Sequence, residues 1–336
     1  MTEYSVFGWL ILPLALALLL ALAWLLRRAR AEAADVRATD LHVAVAPGPD
    51  RTGELRLLQL SDMHWGVSVF DLRRVVAAAG DFDPHAILLT GDLVEARRDG
   101  TFDLEPLADF AAMAPTFYVY GNAEHRNEAR YGPLRDEFSR LGLRRLHNSH
   151  EVLEANGWRV VFAGVDDALR GHPDYHRALG DLPQADLHVL LVHEPTEWEN
   201  VLGRPIDLML SGHTHGGQVR LPLIGPAYSH SVAERSVMSG LFRLPRDSRA
   251  RPTAAGRRAG AEESEQISVE HSAGDPPLLY VTRGLGTVLF HRRLGCPPEI
   301  VRITVTRCLG AQASLPAAPV SRKTGRRAHQ SRNPRQ

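Results

Sequence analysis

The stretch Leu208-Met209-Leu210-Ser211-Gly212-His213-Thr214-His215-Gly216-Gly217-Gln218 decides the reading of the whole chain. A mostly apolar run from Ile206 to Leu210 stops short of a glycine, and two histidines separated by one residue follow. Apolar runs of this length bounded by glycine read as buried strands. Loops leaving the ends of such strands are where sheet proteins carry their chemistry. Two imidazoles at i and i+2 on an irregular loop can point at two neighbouring places, which suits a pair of adjacent metal ions. Two solvated loop histidines would look the same, so the motif needs company elsewhere.

Four more apolar runs supply it. Leu55 to Leu60 leads into Ser61-Asp62-Met63-His64, and Ala86 to Thr90 leads into Gly91-Asp92. Thr116 to Tyr120 ends at Gly121-Asn122, and Leu187 to Val192 ends at His193. Each of these is ordinary turn chemistry by itself. Five in succession, all at the carboxyl ends of strands, are hard to assign to turns alone. Strands in one layer bring such ends to a common rim, where Asp62, His64, Asp92, Asn122, His193, His213 and His215 would converge. Carboxylates, an amide carbonyl and neutral imidazoles, with no thiolate, fit two divalent ions of the Mn, Fe or Zn kind better than a calcium cage. Asp92, alone at its strand end, is suited to bridge both.

Between these runs, Leu72 to Ala79, Leu104 to Met113 and Leu134 to Leu141 have helical spacing. Val152 to Ala155 and Trp158 to Ala163 flank Asn156-Gly157, a strong hairpin signal. Strands alternating with helices indicate α/β layering, and the hairpin argues for mixed sheets. The 336 residues suffice for one large domain or two ordinary ones, and 44% hydrophobic with 23% charged residues is a normal globular balance. Formal net charge is zero, so the chain lacks the electrostatic footprint of a nucleic-acid binder. Lys323 is the only lysine among 39 basic residues, a compositional skew that forbids reading any one arginine as a phosphate clamp by identity. Cys296 and Cys308 form no Cys-x-x-Cys pair and leave the redox compartment open.

Phe7 to Leu26 carries no charge. A helix of that length rises roughly 30 Å, the thickness of a bilayer core. Trp9 and Trp24 lie near its ends, and Arg27, Arg28 and Arg30 follow it rather than precede it. That order argues for a retained anchor over a cleaved leader, and the positive-inside rule then places the large C-terminal part in the cytoplasm. The chain is accordingly divided into an anchor with basic flank (1–30), a linker (31–50) with a strand at Leu41 to Val45, and a domain (51–308). Residues 246–277, poor in large apolar side chains, are expected to be a disordered insertion. The tail 309–336 is basic through Arg322, Lys323, Arg326, Arg327, Arg332 and Arg335, and is expected to be disordered, solvated or in contact with anionic lipid.

The ordered set Asp-x-His, Gly-Asp, Gly-Asn, His and Gly-His-x-His, spread from Leu55 to about Val305, resembles the calcineurin-like metallophosphoesterases. Gly212 to Gln218, Arg283-Gly284-Leu285-Gly286-Thr287 and Cys296-Pro297-Pro298-Glu299-Ile300 resemble the membrane-anchored bacterial branch of that family, which includes enzymes similar to the one hydrolysing UDP-2,3-diacylglucosamine. The resemblance implies a four-layer α/β/β/α sandwich with two divalent ions at the strand ends. It implies that Asp62, His64 and His215 hold the first ion, that Asn122, His193 and His213 hold the second, and that Asp92 lies between them. The implied reaction is metal-assisted attack of water on a phosphoester or pyrophosphate at the membrane surface, with a phosphorylated, lipid-linked substrate as the partner.

One position departs from the family pattern. A histidine usually follows Gly-Asn, whereas this chain has Gly121-Asn122-Ala123-Glu124-His125. Ala123 cannot donate a proton, and His125 is the residue that could reach in to replace the missing acid. The competing expectation is a catalytically weak or inactive metal-stabilised module that binds a phosphorylated lipid. Leu223, Ile224, Leu241 and Phe242 follow the last motif and are either an acyl groove or ordinary loop and core residues. Asp166-Asp167 serves either a turn or the rim of the site.

Overall fold

Side chains on the strands that carry the candidate ligands alternate between separate cores. In the computed structural model, which describes residues 3–45, 53–221, 223–227, 229, 232–261, 264–272 and 274–307, Leu57, Leu88, Phe117, Val189 and Leu210 meet between two sheets. Their neighbours Leu58, Leu60, Ile87, Leu89 and Tyr118 face the opposite way, onto a layer that includes Leu72, Val75, Phe110 and Phe138. On the far side, Leu190, Met209 and Leu279 pack against Leu179, Trp198 and Val201. Burial on both faces, at roughly 1.5–3 kcal/mol for each Val, Leu or Phe, explains why these strands read as unbroken apolar runs. The architecture is the expected four-layer α/β/β/α sandwich.

Across the eight-stranded sheet the order is Arg257–Ala261, Ser264–His271, Arg37–Val45, Glu299–Arg307, Leu55–Leu60, Ala86–Thr90, Thr116–Val119 and Arg144–Arg145. The last four run parallel, and Glu299–Arg307 is antiparallel to Leu55–Leu60. Across the seven-stranded sheet it is Thr253–Ala254, Gly240–Arg243, Leu278–Val281, Leu208–Ser211, Leu187–Leu191, Trp158–Gly164 and Ser149–Ala155. Here Leu278–Val281, Leu208–Ser211, Leu187–Leu191 and Trp158–Gly164 are parallel, so their carboxyl ends share one edge. The hairpin at Asn156-Gly157 forms as expected, with both residues at positive φ.

Two expected boundaries are corrected. The insertion 246–277 is not unstructured in its described residues: Thr253–Ala254, Arg257–Ala261 and Ser264–His271 are strands. Ser264–His271 lies parallel to Arg37–Val45, with Ile267 and Val269 buried. Two apolar residues on alternate positions are enough for an outer strand, but too few to raise the average of a polar window. The linker 31–50, expected to hold a strand at Leu41 to Val45, holds a longer one that joins the main sheet. The helix Glu3–Glu32 is followed at Arg37 by a strand inside the main sheet, where Leu41 and Val43 are fully buried. Residues 46–52, Cys308 and the tail 309–336 lie outside the described residues. Leu241 belongs to the inter-sheet core and Phe242 packs on the outer one, so neither lines an acyl groove.

Candidate active site

Cross-sheet bonds draw the strand ends to one rim. Gln59 Nε2 donates to Ser211 O and to Thr90 Oγ1, each at 3.1 Å, joining the two sheets just before the candidate ligands. The amides of Asp62 and His64 donate to the carbonyls of Gly91 and Asp92. His193 Nδ1 lies 2.8 Å from Thr90 O, which fixes its ring and turns Nε2 toward Asp92. The backbone must bend sharply here: Asp62, His64, Asp92, His213 and His215 all have positive φ, a region side-chain-bearing residues rarely adopt. Strain of this kind persists only where the surroundings over-determine it, and it clusters at functional sites. Gly212 is required by close approach, since a Cβ there would collide with Ser61 Oγ and Asp62 Oδ2.

Two groups of ligating atoms result. Asp62, His64 and His215 form one, and Asp62, Asp92 and His193 form the other, each with ligating atoms within 4.8 Å of one another and all residues buried. Asp92 faces both ways: Oδ2 lies 3.5 Å from His64 Nε2, and Oδ1 lies 3.5 Å from His193 Nε2. His64 Nε2 and His215 Nε2 approach to 3.2 Å, and His213 Nδ1 and His193 Nε2 to 3.3 Å. Separations of this size suit ligand atoms that each sit about 2.1 Å from a common ion. Asn122 Oδ1 is buried with no hydrogen-bond partner, an amide carbonyl whose missing partner an ion would supply. The donor set therefore fits a pair of divalent cations. Asp62 differs from expectation in reaching both groups.

The electrostatics agree. Burial alone would raise the Asp92 carboxyl, but His193, His64 and the Ala123 amide hold it far below the usual carboxylate range. Burial, with His64 and Arg293 nearby, pushes His215 well below its ordinary value, leaving the neutral imidazole that metal ligation needs. Burial raises the Asp62 carboxyl, and the Asp92 charge adds to that. Two acidic groups crowded in a dry rim call for a cation.

Behind the ligands stand residues that the sequence did not single out. Glu124 is fully buried and accepts from the amides of Asp92, Leu93 and Gly121 at 2.7–2.9 Å. Burial and the neighbouring Asp92 push its carboxyl up to about 7. Glu95 Oε1 lies 3.2 Å from His64 Nδ1, and Glu234 Oε1 lies 3.6 Å from His213 Nε2. Such outer partners fix the orientation of ligating imidazoles. The buried Arg293 donates to the carbonyls of Arg283, Gly284, Gly286, Cys296 and His215. A signal for Glu124 was present, because an acid three residues after Gly121 is a helix-start pattern.

His125 lies one turn into the helix Asn122–Tyr131, and its Nε2 is 2.7 Å from Asp166 Oδ1. That bond raises the His125 imidazole above its ordinary value. His147 and Arg145 also approach Asp166, at 3.6 Å each. Ala123 is fully buried, and its amide donates to Asp92 Oδ1. Asp167 is pushed up to about 7 by burial and by Glu194 beside it. The His125–Asp166 pair has a defined pH signature. The histidine, raised on folding, adds stability below its unfolded value that is lost as pH rises through the folded one, while the depressed aspartate loses its share only in acid. Asp166→Asn is therefore expected to lower the melting temperature by about 3 °C more at pH 5.5 than at pH 8.5, corresponding to roughly 1 kcal/mol. An equal loss at both values would remove the charged pair from the account.

Comparison with known proteins shows what this rim is similar to. Residues 55–217, which contain all seven candidate ligands, match the calcineurin-like phosphoesterase family. That stretch is similar to a calcineurin-like phosphoesterase domain. Domains of this family use a dimetal centre, in keeping with the two Asp/His groups. The chain is 31% identical over 181 residues to "Uncharacterized metallophosphoesterase YkuE" of Bacillus subtilis, covering 51% of this chain and 62% of that protein. It is 28% identical over 262 residues to "Phosphodiesterase YaeI" of Escherichia coli, covering 76% of this chain and 83% of that protein. A zebrafish (Danio rerio) "Transmembrane protein with metallophosphoesterase domain" is 30% identical over 199 residues, covering 54% of this chain and 45% of that protein. The match thus spans less than two thirds of YkuE and of the zebrafish protein.

Proposed function

We propose that the protein is a dimetal-dependent phosphoester hydrolase, held at the membrane by its N-terminal helix and acting on a phosphodiester or pyrophosphate, with a lipid-linked substrate of the UDP-2,3-diacylglucosamine kind as the leading candidate. The observation that carries this reading is Asp92, whose two carboxylate oxygens each face a different imidazole at 3.5 Å. Asp62, His64 and His215 would hold one ion, and Asn122, His193 and His213 the other, with Asp92 shared and Asp62 within reach of both. When bound, a pair of such ions acidifies water, neutralises phosphate oxygens and aligns the attacking and leaving groups. The chain's own contribution is orientation. Glu95 sets the His64 ring, the Thr90 carbonyl sets His193, and Glu124 fixes the loops of Asp92 and Asn122.

His125, whose imidazole the bond to Asp166 raises above its ordinary value, is assigned the delivery of a proton to the leaving oxygen in place of the side chain missing at Ala123. General acids contribute about 10²–10⁴-fold, and most where the leaving group is poor. His125→Gln should therefore lower turnover of an alkyl phosphodiester about a hundredfold and leave p-nitrophenyl release nearly unchanged. Equal losses on both substrates would remove His125 from proton transfer.

The helix Glu3–Glu32 contains a span, Leu12–Glu32, of mean hydropathy 1.8 with only 6% of it buried. With Arg27, Arg28 and Arg30 beyond its apolar run, it supports a single-pass anchor with the domain on the cytoplasmic side. Ala123 favours a second reading, a binding module without turnover. Purified full-length protein loaded with Mn²⁺ and given bis-p-nitrophenyl phosphate separates the two. Release of p-nitrophenolate that EDTA abolishes and Mn²⁺ restores supports hydrolysis. Two bound ions per chain with no release under Mn²⁺, Fe²⁺ or Zn²⁺ would favour the module.

A further inference from the structure

The anchor does not dangle from the domain. Arg37 N donates to Pro298 O, Glu32 Oε1 accepts from Cys296 N, and Ala29 O accepts from Arg293 N. Read in that order, the segment 298 to 293 climbs along the helix end from Arg37 toward Ala29, that is, toward the apolar run that ends at Leu26. Beyond Arg292 and His291 in that segment come Phe290 and Leu289, which are 50% and 80% exposed. The hairpin formed by Arg220–Leu221 and Gly225–Pro226 is tied to the same segment. Gln218 Nε2 donates to the carbonyls of Val288 and Phe290, and Arg220 N donates to Leu294 O. At the tip of that hairpin Leu223 is fully exposed and Ile224 is 75% exposed.

Both tips carry a leucine at positive φ, Leu223 at 66° and Leu289 at 64°. Leucine is an unfavourable choice there, and glycine or asparagine would be easier to accommodate. Large apolar side chains displayed at a backbone cost, on two loops tied together by Gln218 and the Arg220 amide, mark a surface meant to be covered. Arg292 lies two residues beyond Phe290, so a basic side chain borders the apolar tip. Apolar anchors bordered by a cation suit a bilayer interface with anionic headgroups.

We propose that Leu223-Ile224 and Leu289-Phe290 are a second membrane-inserted element, dipping into the leaflet beside the anchor helix and seating the metal rim on the bilayer surface. The occupant is lipid because the segment bearing Phe290 is hydrogen-bonded to the anchor at Ala29, at the edge of its apolar run. The same segment reaches the rim through Arg293, whose guanidinium bonds the carbonyl of His215. The substrate would then enter along the membrane plane. This inference rests on the anchor reading above.

The test uses the full-length chain with Cys308→Ser, reconstituted in vesicles of phosphatidylethanolamine and phosphatidylglycerol, with a nitroxide attached at a single introduced cysteine. The native Cys296 is buried. The positions are Leu289→Cys, Ile224→Cys, Leu19→Cys in the anchor, and Glu154→Cys on the strand Ser149–Ala155, near the domain end opposite the rim. All four side chains are exposed, so labelling leaves the packing intact. Power saturation compares contact with oxygen, which concentrates in lipid, and with a water-soluble nickel chelate. The expected result is oxygen contact exceeding chelate contact at residues 289, 224 and 19, and the reverse at 154. Residues 289 and 224 behaving like 154 while 19 stays in lipid would overturn this inference and leave the anchor standing. Chelate access at 19 would overturn the anchor reading, and this inference with it.

Discussion

Asp92→Asn is expected to lower turnover of bis-p-nitrophenyl phosphate by about a thousandfold or more, a loss of roughly 4 kcal/mol of barrier reduction. The substitution keeps size and shape, and Oδ1 can still accept the Ala123 amide. What it removes is the charge that faces His64 on one side and His193 on the other. An amide offers one oxygen where the carboxylate offers two, so one of the two ion groups loses a ligand outright. Metal analysis should accordingly fall below two ions per chain while the melting temperature of the metal-free protein changes little. Full turnover with two ions retained would sink the bridging role. The same experiment on Asp62→Asn tests the difference between expectation and structure. If Asp62 serves both groups, as their geometry indicates, its loss should rival that of Asp92; if it serves one, the remaining ion should persist.

The rim was legible in the chain because its strands are buried on both faces. A strand such as Ala86–Thr90, with every residue buried, reads as an unbroken apolar run, and the first polar residue after it stands out as a site. Elements with weak apolar contrast were not legible. The helix Asn122–Tyr131 buries only Ala123, Glu124 and Asn127, so it has no apolar stripe to announce it, and Gly121-Asn122 read as a turn. Ser264–His271 was lost in a polar window for the same reason. Arg293 was invisible on other grounds. In a chain whose basic residues are nearly all arginine, nothing in the sequence marks Arg293 as buried and as holding the N-terminal helix to the His215 loop.

The second large effect belongs to a residue that touches no ion. Glu124→Gln is expected to lower the melting temperature by about 10 °C and turnover by about a hundredfold, although Glu124 lies behind the ligands rather than among them. Its two carboxylate oxygens divide the work. Oε2 accepts from Asp92 N and Gly121 N at 2.9 Å, and Oε1 accepts from Leu93 N at 2.7 Å. Glutamine can present its oxygen to only one of these sets and must turn an N–H₂ toward amide donors on the other. Each buried donor left unsatisfied costs about 1–3 kcal/mol, and here a like-facing donor adds repulsion. The loops carrying Asp92 and Asn122 would separate to relieve it, which moves a shared ligand and its neighbour together. Glu124→Ala, which removes the clash but leaves the donors orphaned, should be destabilised while recovering part of the lost turnover when Mn²⁺ is raised. If Glu124→Gln instead melts and turns over as the parent does, the ligand loops hold themselves, and the buried carboxylate has no part in aligning them.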